Sequence, residues 1–253
     1  MVTIAIAGGT TGIGSNVVRE ILATNEHRVV VLSRSERPAL EEKGVCIWSL
    51  GPDFGTSQLA LLKVAEDAGV KRFVPSDWAT DYYGSVNAYA AKTTVWNAVK
   101  ASGLEYTRFI TGIWMNLWGL GTPRNEAEAL SGYAGPPFLI YMKKRIALIP
   151  GDGSQKVVFT NTRDKSYAEV VDLAESITAA SFGKTYYPES QIKTVLAGNP
   201  DPEQLFFHQF MQLIVDGGLE FKANVNSKFP DIKPVNAEEY LTKYNRIRLK
   251  LVT

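Results

Sequence analysis

Residues 3–14 read TIAIAGGTTGIG, and residues 15–24 continue as SNVVREILAT. Ile4 and Ile6, with alanines beside them, suit a strand buried on both faces of a parallel sheet. Gly8 permits a sharp exit, Gly12 leaves room for a phosphate to approach the backbone, and Gly14 lets the next helix pack close to the strand. The free N–H groups and positive end of that helix then face the anion. Gly8, Gly9, Thr10, Thr11, Gly12, Ile13 and Gly14 are therefore the candidate cradle for a dinucleotide pyrophosphate. The plain alternative is an ordinary turn and helix start. The position between a buried-strand pattern and an amphipathic helix weighs against it.

The next buried-type strand, RVVVLS at 28–33, ends in Ser33-Arg34-Ser35, where an NAD enzyme places an acidic residue. A cation and hydroxyls there suit a 2′-phosphate, which a carboxylate would repel, so Ser33 and Arg34 point to NADP(H). Glu36 and Arg37 follow closely, and Arg34 read as a solvated loop cation is the bland alternative.

Strand and helix patterns go on alternating, as a doubly wound sheet requires. Residues 56–68, TSQLALLKVAEDA, have helical apolar spacing with Gly69 just beyond. RFVP at 72–75 reads as a strand whose exit places Pro75, Ser76 and Asp77 where ligands of such sheets bind. A helix over 89–102 closed by Gly103, a strand at 106–111 and a hairpin over 145–159 turning at Gly151-Asp152-Gly153 follow. Three further helices are expected near 166–180, 202–216 and 237–243. Residues 119–137 form a long Gly- and Pro-rich stretch of the kind that covers cofactor crevices. Trp114, Met115, Trp118 and Phe138 suit either an apolar substrate wall or plain core.

Composition narrows the class. A chain of 253 residues, 45% hydrophobic and of net charge +1, can bury one full core. Its 27 basic and 26 acidic residues nearly balance without a basic stripe, which argues against nucleic acid. The single cysteine, Cys46, forms no internal disulfide and lies in an apolar run, fitting a buried thiol in a reducing compartment. No apolar run approaches the roughly 18 residues of a membrane span. The cytoplasm is the expected location. His27 and His208 lie in unrelated contexts and support neither a metal site nor a triad.

GGTTGIG, VKRFVPSDW, Lys92 followed by GLEYTRF, IPGDGSQKVVFTNTRD and the tail FPDIKPVNAEEYL, taken in order, resemble the NmrA-like and isoflavone reductase-like group, an atypical branch of the short-chain dehydrogenases. The resemblance runs from Thr3 to Tyr244. It implies an α/β fold, a doubly wound Rossmann-type parallel sheet over residues 1–112 carrying NADP(H), and a small C-terminal substrate lobe over 113–253. It also implies that Lys92, matching a lysine near the nicotinamide ribose in the group's reductases, orients ribose hydroxyls and assists proton transfer. A surface lysine on an amphipathic helix is the alternative. Tyr89 precedes Lys92 by three residues and lies on the same helix face, although the resembling reductases do not keep that tyrosine.

Two departures stand out. Only 11 residues separate Ser33 from Val45, and the run at 45–50 leads straight to the helix at 56, where relatives fit two strands and a helix. A crossover needs about a dozen residues, so the expectation is a missing unit, with 45–50 lying beside the first strand. After Asp164 the chain runs directly into KSYAEVVDLAESI, again without the strand and helix expected between them. Two functions fit these readings. One is an NADP(H)-dependent reductase of a small aromatic or polyketide-like metabolite. The other is an NAD(P)-binding regulator that signals to a protein partner without turnover.

Overall fold

The structure, a computed structural model, describes residues 1–10, 12–32, 55–81, 83–159, 162–221 and 225–246. β1 (Thr3–Ala7), α1 (Gly12–Ala23) and β2 (Arg28–Leu32) form the opening unit. β1 and β2 run parallel in register from Thr3 opposite Arg28 to Ala7 opposite Leu32. Ile6 and Val18 are buried between helix and strands, packed by Ile4, Val17, Ile21, Leu22, Val29 and Val31. The expectations for Thr11, Ser33, Arg34 and the run at 45–50 lie outside the described residues.

A second parallel unit follows. α2 (Ser57–Asp67) leads to β3 (Arg72–Phe73), and α3 (Ala90–Ala101) leads to β4 (Glu105–Tyr106), paired in parallel with β3. Leu62 and Ala65 of α2 meet Phe73 and, from α3, Val95 and Val99. These positions recur at helical spacing, which is why 56–68 and 89–102 were legible as helices. β4 is shorter than the strand expected at 106–111. Beyond it the chain meets the next strand through Ile113, which bridges in parallel to Phe159.

The largest core belongs to the remaining chain. α4 (Glu126–Leu130) interrupts the Gly- and Pro-rich stretch. β5 (Ile140–Tyr141), β6 (Ile146–Pro150), β7 (Lys156–Phe159), β8 (Thr162–Ser166), α5 (Tyr167–Thr178) and β9 (Gly183–Tyr187) follow, then α6 (Glu189–Ala197), α7 (Pro202–Val215) and α8 (Ala237–Asn245). β6 pairs antiparallel with β5 and parallel with β9, while β7 pairs antiparallel with β8. The hairpin expected over 145–159 is thus corrected. Its turn forms, with Gly151 and Gly153 at φ +61° and +80°, but β6 and β7 leave it for different sheets.

β8 runs into α5 without an intervening residue, as the sequence led one to expect. Ser166 makes the joint possible. Its hydroxyl accepts from the Glu169 N–H while the Glu169 carboxylate accepts from the Ser166 N–H, a reciprocal capping box. Among the described residues no helix is long and apolar enough to cross a membrane.

Candidate active site

The glycine turn leaves the C-terminal end of β1. Gly8 has φ +85° and its N–H donates to the Leu32 carbonyl at 3.3 Å, which ties the turn to β2. Gly12 opens α1 at φ +59°, and Gly14 is buried in its first turn. The Ser15 hydroxyl and the Asn16 amide both donate to the Gly12 carbonyl, at 2.9 and 3.1 Å. A distant segment closes on this turn. Asn16 Nδ2 donates to the Ser131 carbonyl at 2.9 Å, and Ser131 Oγ returns a hydrogen bond to Asn16 Oδ1 at 3.1 Å. Gly132 follows at φ +80°, so near the turn that a Cβ there would lie 3.1 Å from both the Cα and the N of Gly12.

A second cluster forms where β3 ends. Pro75, Ser76 and Asp77 are buried, and the Ser76 N–H donates to Gln58 Oε1 of α2 at 2.7 Å. Lys92, in the first turn of α3, is 7% exposed. Its Nζ donates to the carbonyls of Ser76 at 3.0 Å and Asp77 at 2.6 Å. Burial pushes its ammonium down from 10.5 to about 8; the Asp77 carboxylate opposes this and the Arg108 guanidinium adds to it. A lysine that titrates this close to neutrality can give or take a proton at working pH.

Arg108, just past β4, completes the cluster. Its Nε donates to Asp77 Oδ2 at 2.5 Å and its Nη1 to Asp81 Oδ1 at 2.7 Å, with the guanidinium 4.4 Å from the centre of the Trp96 ring. Tyr89 brings its ring within 5.5 Å of Lys92 Nζ, but burial first, and then Tyr133, push its phenol up to about 12. That phenol keeps its proton at any ordinary pH.

The structure therefore brings Ser76 and Lys92 into hydrogen-bond contact, while the glycine turn closes on Ser131 and Gly132. Of the two readings for Met115 and Trp118, substrate wall or plain core, the structure gives core. They are 3% and 1% exposed, and Trp118 packs its ring against Phe159 and Tyr240 within the main core. Trp114 Nε1 donates to Thr111 Oγ1, and Phe138 meets Phe210 edge-on. Sequence reasoning passed over Gln58 and Arg108. Gln58 shares the buried face of α2 with Leu62 and Ala65, a polar residue at apolar spacing, and Arg108 sits at the end of a parallel strand.

Parallel strands joined by helices, with a glycine turn at the first strand's exit, define a Rossmann-type α/β protein. No family model matches the chain. The resemblance to the NmrA-like and isoflavone reductase-like group is borne out by individual proteins. The chain is 29% identical over 211 residues to oxidoreductase BOA1 of Botryotinia fuckeliana (strain B05.10), covering 69% of this chain and 67% of that one. It is 24% identical over 251 residues to an isoflavone reductase-like protein of Olea europaea, covering 81% and 76%. In fold it matches leucoanthocyanidin reductase of Vitis vinifera, solved as a binary complex with NADPH, with a TM-score of 0.67 and 17% identity over 95% of this chain and 98% of that one.

Proposed function

We propose that this protein is an NADP(H)-dependent oxidoreductase of the isoflavone reductase-like type, acting on a small aromatic or polyketide-like metabolite. The observation that carries the reading is Lys92, a buried ammonium held on two main-chain carbonyls at the exit of a parallel strand and titrating near 8. The names of the relatives, an oxidoreductase and an isoflavone reductase-like protein, support the chemistry. The division at residue 112, with the substrate lobe beyond it, is part of the same proposal.

The glycine turn fits a dinucleotide pyrophosphate. Gly8 and Gly12 hold the positive φ such a turn needs, and α1 starts at Gly12 with no acidic residue in its first turn to repel an anion. Main chain, at Gly132, is what now lies against that turn, so binding at Gly12 requires residues 131–132 to give way. Gly9, Thr10, Thr11 and Ile13 complete the proposed cradle, Ser33 and Arg34 would hold the 2′-phosphate, and Pro75 and Ser76 would flank the nicotinamide end. The cofactor would supply the hydride. Lys92 would deliver the proton to the reduced substrate, directly or through water, and take it back in the reverse direction.

Titration with NADPH and NADH, followed by tryptophan fluorescence, tests the cofactor. NADPH should bind more tightly, and Arg34→Ala should abolish the preference. Turnover on a panel of phenolic substrates should be lost in Lys92→Met even at NADPH concentrations that saturate the variant. In the reductive direction kcat should fall as pH rises through about 8, where the ammonium is lost. Binding without Lys92-dependent turnover would favour the regulator instead.

A further inference from the structure

We propose that Arg108 is a positioning residue for Lys92: by clamping the Asp77 carboxylate it withholds that carboxylate from the ammonium and leaves Lys92 to the main-chain oxygens of Ser76 and Asp77. The proposal rests on Lys92 being the proton-handling group.

The geometry is that of a clamp held from three sides. Asp77 is 2% exposed and contributes two different groups to the cluster. Its carbonyl accepts from Lys92 Nζ, and its carboxylate accepts from Arg108 Nε. The two cations thus share one residue but not one acceptor. Trp96 stands four residues after Lys92 on α3, hence on the same helix face, and its ring lies under the guanidinium. Asp81 fixes the other edge of the fork. Gln58 of α2 holds the Ser76 N–H, so the peptide that carries these carbonyls is fixed before any ligand arrives.

The charges converge on one sign. Among the described residues the ionisable groups around Lys92 are Tyr89 before α3, Asp77 after β3, and Arg108 after β4 with Asp81 behind it. Tyr89 stays neutral. Removing Arg108 withdraws a positive neighbour and also frees a buried carboxylate that already attracts the Lys92 ammonium. Both changes favour the protonated lysine.

The test reads Lys92 directly, without substrate or cofactor. In protein carrying 13Cε-lysine, the Lys92 resonance, identified by its disappearance in Lys92→Met, is titrated from pH 6 to 11. In Arg108→Gln its midpoint should rise by about one unit or more from the wild-type value. The double variant Asp77→Asn/Arg108→Gln should cancel most of that rise, because no carboxylate remains to capture the ammonium. An unchanged midpoint in Arg108→Gln would overturn the clamp, as would a double variant that rises as far as the single one. Should Arg108→Gln not fold, Arg108→Met, which keeps an apolar stem beside Trp96 and carries no charge, is read by the same rule. A merely structural role for Arg108 would lower the melting temperature and leave the midpoint in place. Because no turnover is involved, the outcome is independent of whether Lys92→Met retains activity, which tests the reductase reading itself.

Discussion

Lys92 ties its own protonation to the stability of the chain. Unfolded, it holds its proton up to 10.5; folded, only to about 8. Between those values the unfolded chain binds more protons, so raising the pH across that window stabilises the fold, and below it the burial penalty is fully present. The gap is worth at most about 3 kcal/mol. Above pH 10 the sign reverses, because burial holds the Tyr89 and Tyr133 phenols protonated to about 12 while the unfolded chain releases them. Denaturant titrations of wild type and Lys92→Met should therefore converge or cross between pH 8 and 10, with wild type gaining on the variant. A difference that stays flat over that range would mean that Lys92 carries no displaced titration. At this scale the sequence was informative about identity and silent about environment. It singled out Lys92 and Ser76 as candidates, but the carbonyl acceptors and the Arg108 partner arise only when β3, α3 and β4 meet.

Elements with one apolar face were legible, and those without one were not. α2, α3, α5, α7 and α8 fall within two residues of their expected ends because each buries residues at helical spacing. β9, GKTYY, is exposed along nearly its whole length, and α6 buries only Ile192, so neither carried a pattern to read. The turn between β6 and β7 forms where its glycines predict while the two strands pair elsewhere, because glycine placement fixes a local turn whereas partners are chosen by the rest of the fold. Two glycines separate those influences. Gly112, at φ +77°, stands where a Cβ would come within 2.1 Å of the Val158 carbonyl oxygen, whereas Gly69, at φ +67° beyond α2, has open space around it. Gly112→Ala should cost more than about 3 kcal/mol and loosen the Ile113 bridge to β7, while Gly69→Ala should cost about 1 kcal/mol. Equal losses in chemical denaturation would contradict the close approach.

Across the whole molecule the apolar clusters are unequal. α1 and the β1–β2 pair share a small one, α2 and α3 another, and the large core lies under α5, α7 and α8. The seam between Asn16 and Ser131 joins the first of these to the middle of the chain. If the dinucleotide occupies the glycine turn, added NADPH should slow amide hydrogen exchange at residues 8–14 and speed it at 130–133. Slower exchange at both would show that the segment stays in place and shares in binding. That seam also sets an order in time. Asn16 and Ser131 are 115 residues apart, and a ribosome working at about 5–20 residues per second leaves the nascent glycine turn without its partner for several seconds at least. During synthesis the turn is thus open before it is ever closed, and a dinucleotide present in the surrounding solution meets it first in that state.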